Sequence, residues 1–213
     1  MIEKNNIIIQ KIEVEILDYF KEFYTKKCIE TTLLGNICKC VLGGTPNTSK
    51  PEYWNGNVNW INSGEVNNLR ITNASRKITE LGMNKSSTKL LPKGTTVLAI
   101  TGATLGQISL LEIDTCANQS VVGVMENSKF TRDFIYPLIC FHIQDLIQHK
   151  TGGAQPHINK ENIENLQIKI PQEKDYVDYK KKLTHIFNYQ SNLVAQNEKL
   201  KTIKNLLLQK YFG

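Results

Sequence analysis

The chain has 213 residues, 40% of them hydrophobic and 22% charged. These are globular values: they exclude wholesale disorder and allow one sizeable core, or a core with an appendage. With 26 Lys and Arg against 20 Asp and Glu the formal net charge is +6 and the pI about 9.0, which favours an anionic partner without identifying it.

Residues 1–30 read as a helix. Ile9, Ile12, Ile16, Tyr19, Phe20 and Phe23 recur at steps of three and four and give one apolar face, with neither Pro nor Gly to interrupt it. Such a helix docks on the body of its own chain, on the C-terminal helix described below, or on a partner. The Ile7–Ile9 run is broken by Lys11, Glu13, Glu15 and Asp18, so it forms no signal-peptide core. No window is apolar for long enough to span a bilayer. The expectation is a soluble, cytoplasmic protein.

Residues 31–171 have a different texture, with twelve of the 13 glycines and all six prolines. Val97–Ile100 and Ser120–Val124 read as buried strands, and Ile108–Leu111 as a third. Pro92-Lys93-Gly94 is a turn directly before the first of them. Over 131–149, Phe134, Leu138, Phe141, Ile143, Leu146 and Ile147 have helical spacing, and Thr131 is placed to cap that helix. The segment is therefore a mixed α/β globular domain.

Residues 172–212 contain neither Pro nor Gly. Ile186, Leu193, Leu200 and Leu207 recur every seven residues, flanked by Phe187, Val194 and Leu208. Gln190, Asn197 and Lys204 are the polar companions that fix register at a cost in stability. A helix of about forty residues is roughly 60 Å long, more than one small domain covers. A coiled-coil helix with a partner-seeking seam follows; the plainer reading is a surface helix lying along its own domain.

Enzyme signatures are missing from the sequence. There is no phosphate loop, no nucleophile elbow, no H-E-x-x-H and no N-P-P-[FY] methylation motif, and the histidines at 142, 149, 157 and 185 are scattered. Thr101–Gly106 holds two glycines but no following lysine, and runs into a strand where a nucleotide loop would open a helix. Cys28, Cys38, Cys40, Cys116 and Cys140 lack zinc-ligand spacing and read as reduced, partly buried thiols, with no metal expected.

What remains is a set of polar loops: Asn59–Glu65, Cys116–Ser120 and Thr151–Asn159. Amide side chains carry a donor and an acceptor together, which suits an adenine edge. Asn59, Asn62, Ser63, Asn118, Gln119, Gln155, His157 and Asn159 are thus candidate DNA contacts, with Asn118, Gln119, Gln155 and Asn159 foremost as base readers. Lys50, Arg70, Arg76, Lys77, Lys85 and Lys89 are candidate phosphate binders. Turn chemistry and ordinary surface lysines account for the same residues equally simply.

The ordered set of motifs resembles the specificity subunit of type I restriction–modification systems. The run begins at Leu34-Gly35-Asn36-Ile37 and Gly43-Gly44-Thr45-Pro46, then Pro51-Glu52-Tyr53-Trp54-Asn55-Gly56 and Val58-Asn59-Trp60-Ile61. Lys77-Ile78-Thr79-Glu80-Leu81-Gly82 follows, then Ser86–Thr95 and Ala117-Asn118-Gln119. It closes with Gly152–Asn159 and Ile163–Pro171 before the long helix, so that the likeness spans residues 33–213. The resemblance implies a subunit that recognises DNA and neither cuts nor methylates it. Each globular domain would read half of a split target, and long antiparallel helices would hold the domains apart and dock methyltransferase subunits. S-adenosylmethionine, ATP and Mg²⁺ would sit on the methyltransferase and restriction subunits, none on this chain. The family pattern has two recognition domains and two long helices, and only one of each is visible here, so a half-subunit, a truncated product and the recognition subunit of a related type II system all remain open. Pairing through Ile186, Leu193, Asn197, Leu200 and Leu207, as a homodimer or with another half-subunit, is the expectation. An enzyme with an appended recognition domain and a coiled-coil adaptor that ignores DNA are the readings of other classes.

Overall fold

A computed structural model describes residues 1–148 and 157–212. Helix α1 (Ile2–Lys27) buries Ile9, Ile12, Ile16, Phe20 and Phe23, the apolar face read from the sequence. It stops at Lys27, short of residue 30. Cys28 turns to extended dihedrals and opens strand β1 (Cys28–Leu33), where the β-branched Ile29, Thr31 and Thr32 favour a strand. Next come β2 (Lys39–Leu42), β3 (Trp54–Ile61), β4 (Arg70–Ile71), β5 (Arg76–Ile78), α2 (Glu80–Asn84), β6 (Thr96–Ala99) and β7 (Ile108–Leu111). β8 (Cys116–Ala117), β9 (Val121–Met125), α3 (Arg132–Gln148), α4 (Lys160–Glu164), β10 (Gln167–Pro171) and α5 (Glu173–Phe212) complete the described chain.

The central sheet has the order β2-β9-β6-β7-β4. β6 and β9 are buried on both faces, which is why they read as continuous apolar runs instead of alternating ones. The pleat sorts their residues. Leu98, Ile100, Leu110, Val122 and Val124 point into the core shared with the helices. Val97, Ala99, Leu111 and Val121 point the other way, onto Ile61, Val66, Ile71 and Leu91. A second sheet, β5-β3-β8, carries an aromatic cluster of Tyr53, Trp54 and Trp60 with Ile78 and Cys116. β1 and β10 form an antiparallel pair at the foot of the helices.

Helix α3 begins one residue after Thr131, but Thr131 is not its side-chain cap. The Thr131 hydroxyl lies 3.4 Å from the Tyr176 hydroxyl, and the Glu126 carboxylate accepts the Arg132 backbone N–H at 2.6 Å. Pro137 lies inside the helix and cannot donate to the carbonyl four residues back, that of Asp133. The Tyr179 hydroxyl donates to this carbonyl instead, at 2.7 Å, so α5 repairs the break in α3.

Helices α1 and α5 are antiparallel neighbours. Asn5 Nδ2 donates to Gln196 Oε1 and Asn197 Oδ1, both at 2.9 Å; Gln190 Nε2 donates to the Ile9 carbonyl at 3.1 Å. Further along, the Phe23 and Tyr179 rings stack at 4.2 Å and Lys27 pairs with Asp175. This revises the seam expected on α5. Leu193 and Asn197 are already buried, and Ile186 half-buried, against the chain's own helices and core, because α1 supplies the second helix. Leu200 is half-buried, and from Lys201 to Phe212 every residue is exposed, Leu207 among them. Only this last stretch, about 18 Å at 1.5 Å per residue, is left without cover from the described residues. Among those residues no helix is long and apolar enough to cross a membrane.

Candidate nucleic-acid interface

Strand β2 leaves the sheet into Gly43-Gly44, and these two glycines let three loops meet. Gly43 N–H donates to the Val121 carbonyl at 2.9 Å and Gly44 N–H to the Ala117 carbonyl at 2.8 Å. A Cβ on Gly43 would lie 2.1 Å from the Asn118 carbonyl oxygen. One on Gly44 would lie 2.2 Å from Ser87 Oγ and 2.6 Å from the Thr88 nitrogen. Any side chain would therefore force apart the loops 43–50, 85–89 and 117–120. The Thr88 hydroxyl completes the junction by donating to the Ala117 carbonyl at 3.0 Å. Beneath it the Cys116 thiol is held above its usual range, chiefly by burial. Ile100 N–H donates to the Ser120 carbonyl and Ile158 N–H to the Ile100 carbonyl, so the segment entering Asn159 lies beside the same group.

The aromatic cluster ties loop 43–50 down. Trp60 Nε1–H donates to the Gly44 carbonyl at 3.0 Å, and Trp54 Nε1–H to the Asn47 carbonyl at 3.2 Å. The two indoles meet edge to face with centroids 5.3 Å apart. Arg76 on β5 lies over Trp54 with Cζ 3.9 Å from the ring centre, and 5.6 Å from that of Trp60. Lys50 lies 5.2 Å over Tyr53, and Thr45 Oγ1 donates to Gln119 Oε1 at 2.5 Å.

The structure thus gathers Lys50, Arg76, Asn118 and Gln119, with Lys85 and Lys89 on the adjoining loop; all but half-buried Asn118 are exposed. Other candidates have local duties. Asn62 Oδ1 accepts Gly64 N–H at the start of the turn Ser63–Asn67, in a reciprocal cap with Glu65, and Ser63 is the first residue of that turn. Asn159 and Asn162 cap α4 in the same way. Asn118 Oδ1 accepts Ser120 N–H at 3.1 Å, and Asn59 Nδ2 donates to the Asp114 carbonyl at 3.0 Å. Each carbonyl oxygen that accepts a backbone N–H has one of its two lone pairs committed, so a base would meet the second lone pair and the amide NH₂. Lys77 is exposed on β5 and His157 is half-buried. Gln155 lies outside the described residues.

Arg70 is a correction. Its side chain is only 2% exposed, too deep to reach a phosphate. Its guanidinium donates to Gln190 Oε1, lies 3.7 Å from Glu13 Oε2, and faces both the Tyr136 and Phe187 rings, 5.1 and 5.5 Å from their centres. Glu13 in turn accepts from the Tyr136 hydroxyl at 2.5 Å and from Gln190 Nε2 at 3.0 Å. This buried node joins β4, α1, α3 and α5. Its trace in the sequence is Glu13 itself, a carboxylate at i+4 from Ile9 on the apolar face of α1. The tryptophan floor under Arg76 was also missed, although Trp54 and Trp60 stand at even spacing within one strand. The cysteines at 28, 38, 40, 116 and 140 are free thiols, and no cluster of His, Cys, Asp and Glu able to hold a metal occurs among the described residues.

The chain is a mixed α/β domain with converging polar loops, carried on an antiparallel helix pair. Residues 26–209 match the family model for the type I restriction modification DNA specificity domain, and the chain belongs to that family. It is 28% identical over 149 residues to the type I restriction enzyme EcoR124I/EcoR124II specificity subunit of Escherichia coli, covering 67% of this chain and 37% of that one. It is 24% identical over 175 residues to the MjaIX specificity subunit of Methanocaldococcus jannaschii, covering 80% and 40%. Among solved structures, the S subunit from M. genitalium aligns with a TM-score of 0.62 at 15% identity, over 100% of this chain and 55% of that one. The HsdS subunit from Thermoanaerobacter tengcongensis aligns at 0.57 and 14%, over 99% and 53%. The shared fold includes α1, which the motifs of the sequence did not reach. The chain spans about two-fifths of the length of these curated relatives and just over half of the solved subunits.

Proposed function

We propose that this chain reads DNA sequence as a specificity module of a type I restriction–modification system, directing a separate methyltransferase to one half of a bipartite target. The observation that carries this is the junction built by Gly43 and Gly44. It brings the loops at 43–50, 85–89 and 117–120 together, with Lys50, Lys85 and Gln119 exposed on those loops and Arg76 exposed on strand β5. Lysines on such a surface hold phosphates, and amide and guanidinium groups read base edges. Variable loops on a fixed scaffold let the target change without changing the fold.

Family membership supports a non-catalytic role, specificity subunits being generally non-catalytic. The chain would work in the cytoplasm with double-stranded DNA, methyltransferase subunits and a restriction or translocase subunit as partners. S-adenosylmethionine, ATP and Mg²⁺ would be bound by those partners. The exposed end of α5, from Lys201 to Phe212, would pair with a second copy or another half-subunit, with half-buried Leu200 at its edge. A two-fold pair would set two recognition domains in opposite orientations on a target of two inverted half-sites.

The test is a gel-shift titration of the purified chain, with and without its methyltransferase, against duplexes selected from a random pool and against scrambled controls. A selected motif bound at least about a thousandfold more tightly than random sequence supports the proposal. Equal affinity for all duplexes refutes it, as would methylation or cleavage by the isolated chain that a point substitution abolishes.

A further inference from the structure

We propose that Arg76 reads a guanine in the major groove and is not one of the phosphate contacts. The inference rests on the DNA-reading function proposed above and assigns one base-recognition role within it. At 3.9 Å from the centre of the Trp54 ring the guanidinium is in stacking contact. Trp60 stands beneath it at 5.6 Å, directly across the β3–β5 ladder from Arg76. Both indoles are fixed by N–H donors to the backbone of loop 43–50, so the platform under Arg76 moves with the loop that carries Lys50. Pleat alternation turns Arg76 and Ile78 to the same face, and Ile78 is buried in the aromatic cluster. The aliphatic stem of Arg76 is thereby directed across that cluster.

Among the described residues no carboxylate or carbonyl takes an Arg76 N–H. An exposed guanidinium thus lies on a tryptophan with its donors unspent. A phosphate, which offers the same charge from many directions, needs no such arrangement; the flexible exposed Lys50, Lys77 and Lys85 satisfy it. A fixed planar fork matches two acceptors at fixed separation: a phosphate offers one such pair but is held equally by the point charge of a lysine, whereas on the base edges the pair is O6 and N7 of guanine. Stacking on Trp54 removes rotamer freedom before DNA arrives, so less is lost on binding.

The experiment is selection from a randomised duplex pool by the full chain with its methyltransferase. Wild type, Arg76→Lys, Arg76→Gln and Lys50→Ala are compared, each with the salt dependence of binding. Arg76→Lys keeps the charge and loses the fork; it is expected to flatten preference at one G·C position by about ten- to a hundredfold, with the other positions and the salt slope unchanged. Arg76→Gln should flatten the same position, whereas Lys50→Ala should weaken all sequences alike and lower the slope by about one. If Arg76→Lys retains the wild-type motif in full while Arg76→Gln weakens every sequence evenly, Arg76 is a phosphate contact and the inference is overturned. A wild-type chain that enriches no motif overturns the DNA-reading proposal itself, and this inference with it.

Discussion

Two arginines six residues apart in one sequence have opposite fates, and burial decides between them. Arg76 is exposed on its tryptophan, whereas Arg70 is enclosed with Glu13, Gln190 and Tyr136. Removing one member of a buried charged set leaves the other unpaired, at a cost of about 3–5 kcal/mol. Arg70→Ala is therefore expected to lower thermal stability sharply while leaving the salt slope of DNA binding unchanged in whatever fraction stays folded. Lys85→Ala should do the reverse, with no change in melting temperature and a slope smaller by about one. Titration of buried groups gives a separate test. Burial pushes the Cys28 and Cys140 thiols up to about 12 and holds the Tyr136 and Tyr179 phenols well above their ordinary range. The unfolded chain starts to release these protons near pH 8.5 for cysteine and near 10 for tyrosine, roughly, while the folded chain keeps the two thiol protons until about 12 and the phenol protons well past their ordinary range. Above pH 8.5 the unfolded state therefore binds fewer protons, and stability falls as pH rises. Melting temperatures from pH 7 to 11 should be flat at first and then decline. A melting temperature that climbs across that range would contradict the assignment of these groups as neutral and buried.

At the scale of elements, α5 acts at three places along its length. Near its start, Tyr179 completes the hydrogen bonding that Pro137 denies to α3. Tyr179→Phe keeps the ring and orphans the Asp133 carbonyl, so a loss of about 1–3 kcal/mol is expected in denaturant titration. In its middle, Leu193 and Asn197 lie against α1 and the shared core. Beyond Leu200 the helix continues with exposed Ile203, Leu207, Leu208, Tyr211 and Phe212. The same substitution should read differently at the two ends. Leu193→Asp buries a charge in the fold and should cost about 4 kcal/mol or more. Leu207→Asp with Leu208→Asp should leave the melting temperature unchanged and abolish self-association seen by sedimentation. A wild-type chain that stays monomeric at concentrations on the order of tens of micromolar would remove the basis for pairing through this end.

Across the whole molecule, what was legible in the sequence was what periodicity encodes. The strands at 97–100 and 121–124 announced themselves because both their faces are buried, and α1 and α5 because one face of each is apolar over many turns. Contacts between distant segments left weaker traces. No pattern within 172–212 tells that its seam meets a helix of the same chain, because the partner residues Asn5 and Ile9 lie at the far end of the sequence. Arg70 read like the exposed cations Lys50, Arg76 and Lys85 for the same reason, its partners Glu13 and Gln190 lying far off in the sequence. The loop cluster was visible as polar composition and ordered motifs, but its assembly depends on how closely Gly43 and Gly44 approach the 85–89 and 117–120 loops, a distance that composition does not record. Asn62, Asn118 and Asn159 illustrate the limit from the other side: amides suited to base edges are equally suited to capping turns, and here their oxygens do so. On the proposed function, this chain chooses where DNA is modified. The measurement that tests it most directly is the genome-wide methylation pattern of the source organism with the chain present, deleted, and restored with substituted loops. Deletion is predicted to erase methylation at one bipartite motif and no other, and restoration with a Gln119 variant to alter each half-site that this chain reads, both halves in a pair of identical copies and one half in a mixed pair. A methylation pattern unchanged by deletion would contradict the account.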